Sequence, residues 1–500
     1  MRVKKYLSFL TLLFLIPIQD IQAQKDYNLS FNVKGLSDTI VYLANYYGKK
    51  QYYADTADVD SKGNFVFEGK ELYEGGIYLV VMPDRSGYFE MIVSGTETNF
   101  SMECDKGNFI QTMKIKGSPE NQAFYEYQKF VTEKGMYAQT VQTKYEALKE
   151  QPDSASKYEA VLKEVNKEVE SFKSDFTSKY PKMFISKVLT AGNDPKIPED
   201  KPPFKDEADS KAWDFNYYKS HYFDGFDFSD ERLIRTPVFH RKISYYMTKL
   251  VVQIPDSITK EADWMVEQTK EAKENFKYVV HFVTNHYEKS KVMGMDAVFV
   301  HMAEKYYLTG QVFWMDSTKI AKVEERATAL SPLLLGKIAP NIILPDTNGE
   351  NSKWHNLHKI DADFTILYFW DPGCGHCKKA TPKLSEWYSE SKDKYNLEVF
   401  AVCTELETKD WKKFIRDNKL SFLNVSDNSE INKNAAKYLH LTTLNSLNFR
   451  NIYDIYSTPV VYVLDRNKEI IAKRLGVEQL EDFISRYSEE LKKQNQAQSN

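Results

Sequence analysis

Hydrophobic positions change their spacing twice along this chain. From residue 27 to about 117 they form short runs separated by polar turns. Residues 27–33 alternate, 39–47 are apolar and aromatic, and 64–68 follow the turn Asp60-Ser61-Lys62-Gly63. Residues 76–82, 88–93, 100–104 and 112–115 complete a set of about seven strands, which predicts a small antiparallel β-sandwich. Ser118-Pro119-Glu120 then reads as an N-cap, a proline at the first helical position and an acidic first turn. Beyond it the period is helical: 123–149, 155–180, 207–222, 238–252, 257–289, 293–308 and 316–330, with 193–206 as a loop. Near Gly336 the pattern changes again. Residues 363–370 read as a buried strand, 374–395 as a helix, 397–404 as a strand and 409–419 as a helix. Strands at 459–465 and 469–475 and a helix at 477–494 close the chain. The expected fold is multidomain: an N-terminal antiparallel β-sandwich over 25–117, a central all-α helical domain over 118–335, and a C-terminal α/β domain over 336–495.

Residues 1–23 read as a secretory signal peptide. Arg2, Lys4 and Lys5 precede an apolar run over 6–18, too short to span a bilayer comfortably, and Ile21-Gln22-Ala23 offers a cleavage point. No cysteine follows the run, which argues against a lipid anchor. The mature chain is therefore expected to be exported and soluble, with no integral membrane segment. Its 67 basic and 71 acidic residues leave a net charge of −4, and no basic cluster suggests nucleic acid. His281, His286, Glu288, His301 and Glu304 lie in the helical block, but no His-Glu-x-x-His signature is present, and no metal site is expected.

The chain has only four cysteines, Cys104, Cys374, Cys377 and Cys403, too few for a disulfide framework. Cys374-Gly375-His376-Cys377 opens the helix expected at 374–395. Two cysteines at i and i+3 on a helix have α-carbons about 5–6 Å apart, which suits a disulfide. The first meets the unpaired backbone N–H groups at the helix start, which favour its thiolate, the attacking species in disulfide exchange. Cys374 is the candidate nucleophile and Cys377 the candidate resolving thiol. A cationic His376 would favour the thiolate further. Zinc would need four ligands, and the other cysteines are isolated.

The surroundings of this motif resemble the thioredoxin superfamily. Phe369-Trp370 stands just before it, Pro382 follows in the helix, and Thr458-Pro459 leads into the next apolar strand. The strand and helix order is that of a thioredoxin core. Ala339-Pro340 and Val463-Leu464-Asp465-Arg466-Asn467-Lys468 are similar to the TlpA-like envelope branch. The β-rich and helical stretches resemble modules that accompany such proteins, through Asp60-x-x-Gly63-x-Phe65-x-Phe67 and residues 291–301. The resemblance implies a thiol–disulfide oxidoreductase of the periplasm, acting on protein thiols and disulfides with a redox partner protein. Its only cofactor would be the redox-active Cys374–Cys377 disulfide. It implies Cys374, Cys377, His376 and Pro459, the match to the superfamily's cis-proline, as catalytic. It places Trp370, Gly375 and Thr458 against substrate.

Two departures stand out. Tyr368 occupies the place of a buried proton-transferring aspartate, six residues before Cys374, and Ala380 that of a glutamate found in some envelope members. Glu405 is a candidate replacement for proton transfer. Residues 432–456 look inserted. The peroxiredoxin arrangement Pro-x-x-x-Thr-x-x-Cys is absent. The rival reading is an envelope interaction or scaffold protein whose β and helical domains bind a partner, with the redox site as a secondary switch.

Overall fold

The structure is a computed structural model and describes residues 27–83, 85, 87–148, 150, 152–347 and 352–498. The expected signal peptide, 1–23, lies outside them. Two compact units divide the chain between Lys242 and Ile243, inside the block read as one helical domain.

The first unit opens with strands β1 (Tyr27–Lys34), β2 (Thr39–Tyr47), β3 (Lys50–Val59), β4 (Asn64–Gly69), β5 (Gly76–Val81), β6 (Tyr88–Val93), β7 (Asn99–Asp105) and β8 (Lys114–Lys116). They form two four-stranded sheets, ordered β4-β1-β7-β8 and β3-β2-β5-β6. Along β1 every second residue, from Tyr27 to Val33, is buried, which is the period-2 signature of a half-covered strand. Phe31 on β1 and Phe89 on β6 meet with ring centroids 6.0 Å apart, joining the two inner faces. Most pairs are antiparallel, but β1 and β7 run parallel. The turn into β4 needs Gly63: its φ is 82°, and a Cβ there would run into the Val33 carbonyl. Two long helices follow, Pro119–Leu148 and Pro152–Lys179. Phe130 stacks on Phe172 with centroids 3.9 Å apart, holding the pair together. Shorter helices occupy Phe184–Ala191 and Glu207–Ser220, and helix Pro237–Tyr245 spans the division.

The second unit contains helices Pro255–Gln268, Lys273–Glu288, Asp296–Met302 and Ser317–Leu330. The continuous helix expected over 257–289 is broken at Thr269, whose hydroxyl donates to the Val266 carbonyl at 2.8 Å and competes with the helical ladder. A two-stranded ribbon, β9 (Ile343–Pro345) with β10 (Trp354–Asn356), leads into a five-stranded sheet. Its strands are β11 (Phe364–Trp370), β12 (Leu397–Cys403), β13 (Leu423–Val425), β14 (Val460–Leu464) and β15 (Ile470–Lys473), in the order β13-β12-β11-β14-β15. β11 is central and buried along its whole length. β12 runs parallel to it, and β14 antiparallel. Between β13 and β14 the insert forms short helices, Ser429–Lys433, Ala435–Tyr438, Leu444–Leu447 and Phe449–Ile452. It is anchored on the sheet: Phe369 stacks on Phe449 at 5.7 Å and meets Tyr453 at 4.9 Å.

One buried ion pair joins the helices of this unit to the sheet. Lys473 on β15 is 6% exposed. Its ammonium binds the Asp296 carboxylate and donates to the Leu333 carbonyl at 2.6 Å.

Candidate active site

Parallel strands β11 and β12 deliver their following loops to the same end of the sheet, and antiparallel β14 begins there. Asp371-Pro372-Gly373 carries the chain from β11 into helix Gly375–Tyr395, with Cys374 as its N-cap. The turn is built by Asp371, whose side chain accepts from the Gly373 N–H at 2.6 Å while its carbonyl accepts from the Cys374 N–H at 3.1 Å. Sequence reading passed over Asp371, although Asp-Pro-Gly is a strong turn signal.

The two thiols sit in opposed surroundings. Cys374 is partly exposed, and Cys377, one turn into the helix, is fully buried. The backbone N–H of Cys377, aimed at the Cys374 sulfur, lowers the Cys374 pKa; the Thr458 side chain and the His376 backbone N–H act the same way, and partial desolvation opposes them. Burial pushes the Cys377 thiol up to about 11. The Asp371 N–H approaches the Cys377 sulfur at 3.5 Å, and the Cys374 thiol donates to the Thr458 carbonyl at 3.3 Å. The Thr458–Pro459 peptide bond is cis. All four cysteines are free thiols.

The structure thus gathers Cys374, Gly375, His376, Cys377, Thr458 and Pro459. Gly375 and His376 are exposed, and His376 reaches Cys374 through its backbone rather than its ring. Trp370 is not part of a substrate surface. It is fully buried, its ring packs on Phe414 with centroids 5.3 Å apart, and it offers no face to a ligand. Glu405 is exposed on the loop after β12. Its carbonyl accepts from the buried Cys403 thiol at 3.6 Å, and among the described residues nothing joins its carboxylate to Cys377. Behind Cys377, Tyr368 is fully buried and its hydroxyl pairs with Thr381 Oγ1 at 2.8 Å. Thr381 lies four residues beyond Cys377, on the same helix face.

Comparison with known proteins adds the family. Residues 335–473 match the AhpC/TSA family. The C-terminal domain belongs to that thioredoxin-like family. Residues 27–124 and 163–329 of this thioredoxin-like protein match two domains of unknown function, DUF4369 and DUF5106. The former covers most of the β-rich region and the latter most of the helical block, so both accompanying modules have their own families. The thiol–disulfide oxidoreductase ResA of Bacillus cereus is 23% identical over 155 residues, which is 30% of this chain and 78% of that one. A solved domain of a "possible thiol-disulfide isomerase" from Cytophaga hutchinsonii is 44% identical over 33% of this chain and 99% of its own, with a TM-score of 0.27. A thioredoxin-like protein from Bacteroides caccae is 16% identical over 59% of this chain and 97% of its own, with a TM-score of 0.43. The redox domain is thus of the ResA- and TlpA-like thiol–disulfide oxidoreductase type.

Proposed function

We propose that this protein exchanges disulfides with protein thiols in the periplasm through Cys374-Gly375-His376-Cys377, using no cofactor beyond the disulfide that Cys374 and Cys377 form. The asymmetry of the two thiols carries the reading. The Cys374 thiolate attacks one sulfur of a substrate disulfide; that S–S bond breaks, a mixed disulfide forms, and one substrate sulfur leaves as a thiolate. Cys377 then gives up its proton and attacks the Cys374 sulfur, releasing the second substrate sulfur. The substrate gains two electrons and two protons as two thiols, and Cys374–Cys377 becomes the disulfide. The reverse sequence oxidises a dithiol. Thr458 offers backbone atoms beside Cys374 to an extended substrate strand, which could pair there.

Export is supported by the signal-like residues 1–23, in which Arg2, Lys4 and Lys5 precede an apolar run. No helix among the described residues is long and apolar enough to cross a membrane. Trapping in the exporting cell tests the proposal. Cys377→Ser should accumulate mixed disulfides with substrate proteins, and Cys374→Ser should capture none and lose exchange activity. A Cys374→Ser protein that still exchanges disulfides would overturn it.

A further inference from the structure

The helices ahead of the redox domain take no part in the exchange chemistry, yet they line two cavities, one of which reaches Tyr456, two residues before Thr458. The first, about 370 Å³, lies between helix Ser317–Leu330 and residues 450–456 of the insert. Tyr456 on its rim is 87% exposed. It stands two residues before Thr458, whose carbonyl is 3.3 Å from the Cys374 sulfur. The second, about 410 Å³, is a cleft between the same helix and helix Lys273–Glu288, walled by the aromatic rings of Phe299, Tyr307 and Trp314. Lys322 and Arg326 line both cavities, so the two adjoin along a single helix.

Lys319, Lys322 and Arg326 are spaced by three and four residues and so share a helix face. Arg326 is fixed by Asp454, a buried carboxylate of the insert, at 2.6 Å. That bond joins the groove's wall to the loop carrying Thr458. Cations outnumber carboxylates in the lining of the second cavity, while the arginines of the first are paired. In the first, Arg326 is bound by Asp454, and Arg450 by the buried Asp427 at 2.7 and 2.8 Å, which leaves Lys322 facing Glu325. Lys319, Lys322 and Arg326 face Glu288 in the second. Lys319 pairs with Asp316 at 2.7 Å, but both are well exposed, so the pair is weak and exchangeable. The Trp314 indole N–H is buried with no acceptor among the described residues, and a peptide carbonyl entering the cleft would supply one.

We propose that this groove seats the polypeptide segment flanking the reactive cysteine of the substrate protein, and that it selects segments that are extended and acidic. The inference rests on the exchange reaction proposed above and names the substrate class of that site. A strand laid along the Thr458 backbone continues past Tyr456 into the groove. There its carboxylates meet Lys322 and Lys319, and its backbone and apolar groups meet the aromatic wall. Charges of this kind act mainly on association.

The test uses the reduced full-length chain in single turnover against two disulfide-linked peptide dimers. They are identical except for four glutamates or four glutamines beside the cysteine. The ratio of the two rate constants is read within each protein, so a general loss of activity cancels. The wild type should favour the acidic peptide by about tenfold, a preference that falls as salt is raised. Lys319→Glu with Lys322→Glu should abolish or invert the ratio, and Lys319→Arg with Lys322→Arg should keep it. Circular dichroism confirms that each variant is folded. Equal rates in the wild type, or a ratio unmoved by charge reversal, would overturn the groove. Failure of the wild type to reduce the small neutral disulfide 2,2′-dipyridyl disulfide would instead overturn the exchange reaction, and the groove with it.

Discussion

At the scale of single residues, the two thiols behave as a pair split by their surroundings. Cys374 is held below the usual thiol range and Cys377 is pushed to about 11. Iodoacetamide modifies thiolates, so its rate rises through the pKa of the group it attacks. Cys374 in a Cys377→Ser protein should reach half its maximal alkylation rate below pH 8.5, about the value of a free thiol. Cys377 in a Cys374→Ser protein should stay nearly inert until strongly alkaline pH. Mass spectrometry of the labelled proteins over a pH series checks both. Much of this asymmetry was legible, because a helix that starts at the first cysteine dictates which sulfur meets the free N–H groups. Trp370 was misread for an equally physical reason. A central strand covered on both faces shows no alternation, so nothing in Phe364–Trp370 distinguishes a residue facing solvent from one facing the core. Position next to the motif was the only guide, and it misled.

At the scale of elements, the most instructive omission is β3. Its sequence, KQYYADTADV, shows no apolar alternation, and its first five residues are exposed. It is an edge strand of its sheet, and edges are kept polar for good reason. The signal that finds an inner strand therefore fails at the rim. The helix over 477–494 was legible, but its attachment was not, because that depends on side chains far apart in sequence. Glu481 on helix Leu480–Gln498 accepts from Trp387 Nε1 at 2.8 Å, Tyr395 OH at 2.9 Å and Lys394 Nζ at 2.9 Å on the active-site helix. Desolvation pushes the Glu481 carboxyl upward, but the bonds from Lys394, Trp387 and Tyr395 outweigh it and hold the pKa at about 2. An unfolded glutamate titrates near 4.3. The stabilisation is thus complete above about pH 4.3 and is lost as pH falls toward 2. Glu481→Gln should lower Tm at neutral pH and flatten the fall in Tm across that acid window, as differential scanning calorimetry would show.

At the scale of the whole molecule, the three zones of hydrophobic spacing were visible in the sequence, whereas the division between Lys242 and Ile243 was not. It falls within helix Pro237–Tyr245, where the helical pattern runs on without a break to mark it. The Lys473–Asp296 pair shows the consequence for the second unit. Burial lowers the Lys473 pKa against the pull of Asp296. Removing the carboxylate leaves a nearly inaccessible ammonium with one carbonyl partner. Asp296→Asn should destabilise this unit by about 3 kcal/mol, the lower end for breaking a buried pair, and urea unfolding followed by fluorescence measures it. A fragment of residues 336–500 strands the same lysine and should unfold at lower urea than one of 243–500; equal midpoints would show that the pair contributes nothing.

The burial of Cys104 bears on how this chain is made. It lies on β7 at 2% exposure, and burial pushes its thiol up to about 12. It is also the only cysteine ahead of the redox pair, in a unit whose sequence ends at Lys242. A chain that emerges amino-terminus first can close that unit while Cys374 and Cys377 are still to come. Under the export proposed above, the one earlier cysteine to which a reactive thiol could be wrongly joined is already withdrawn into the sandwich, and the order of the domains would act as a safeguard on disulfide pairing.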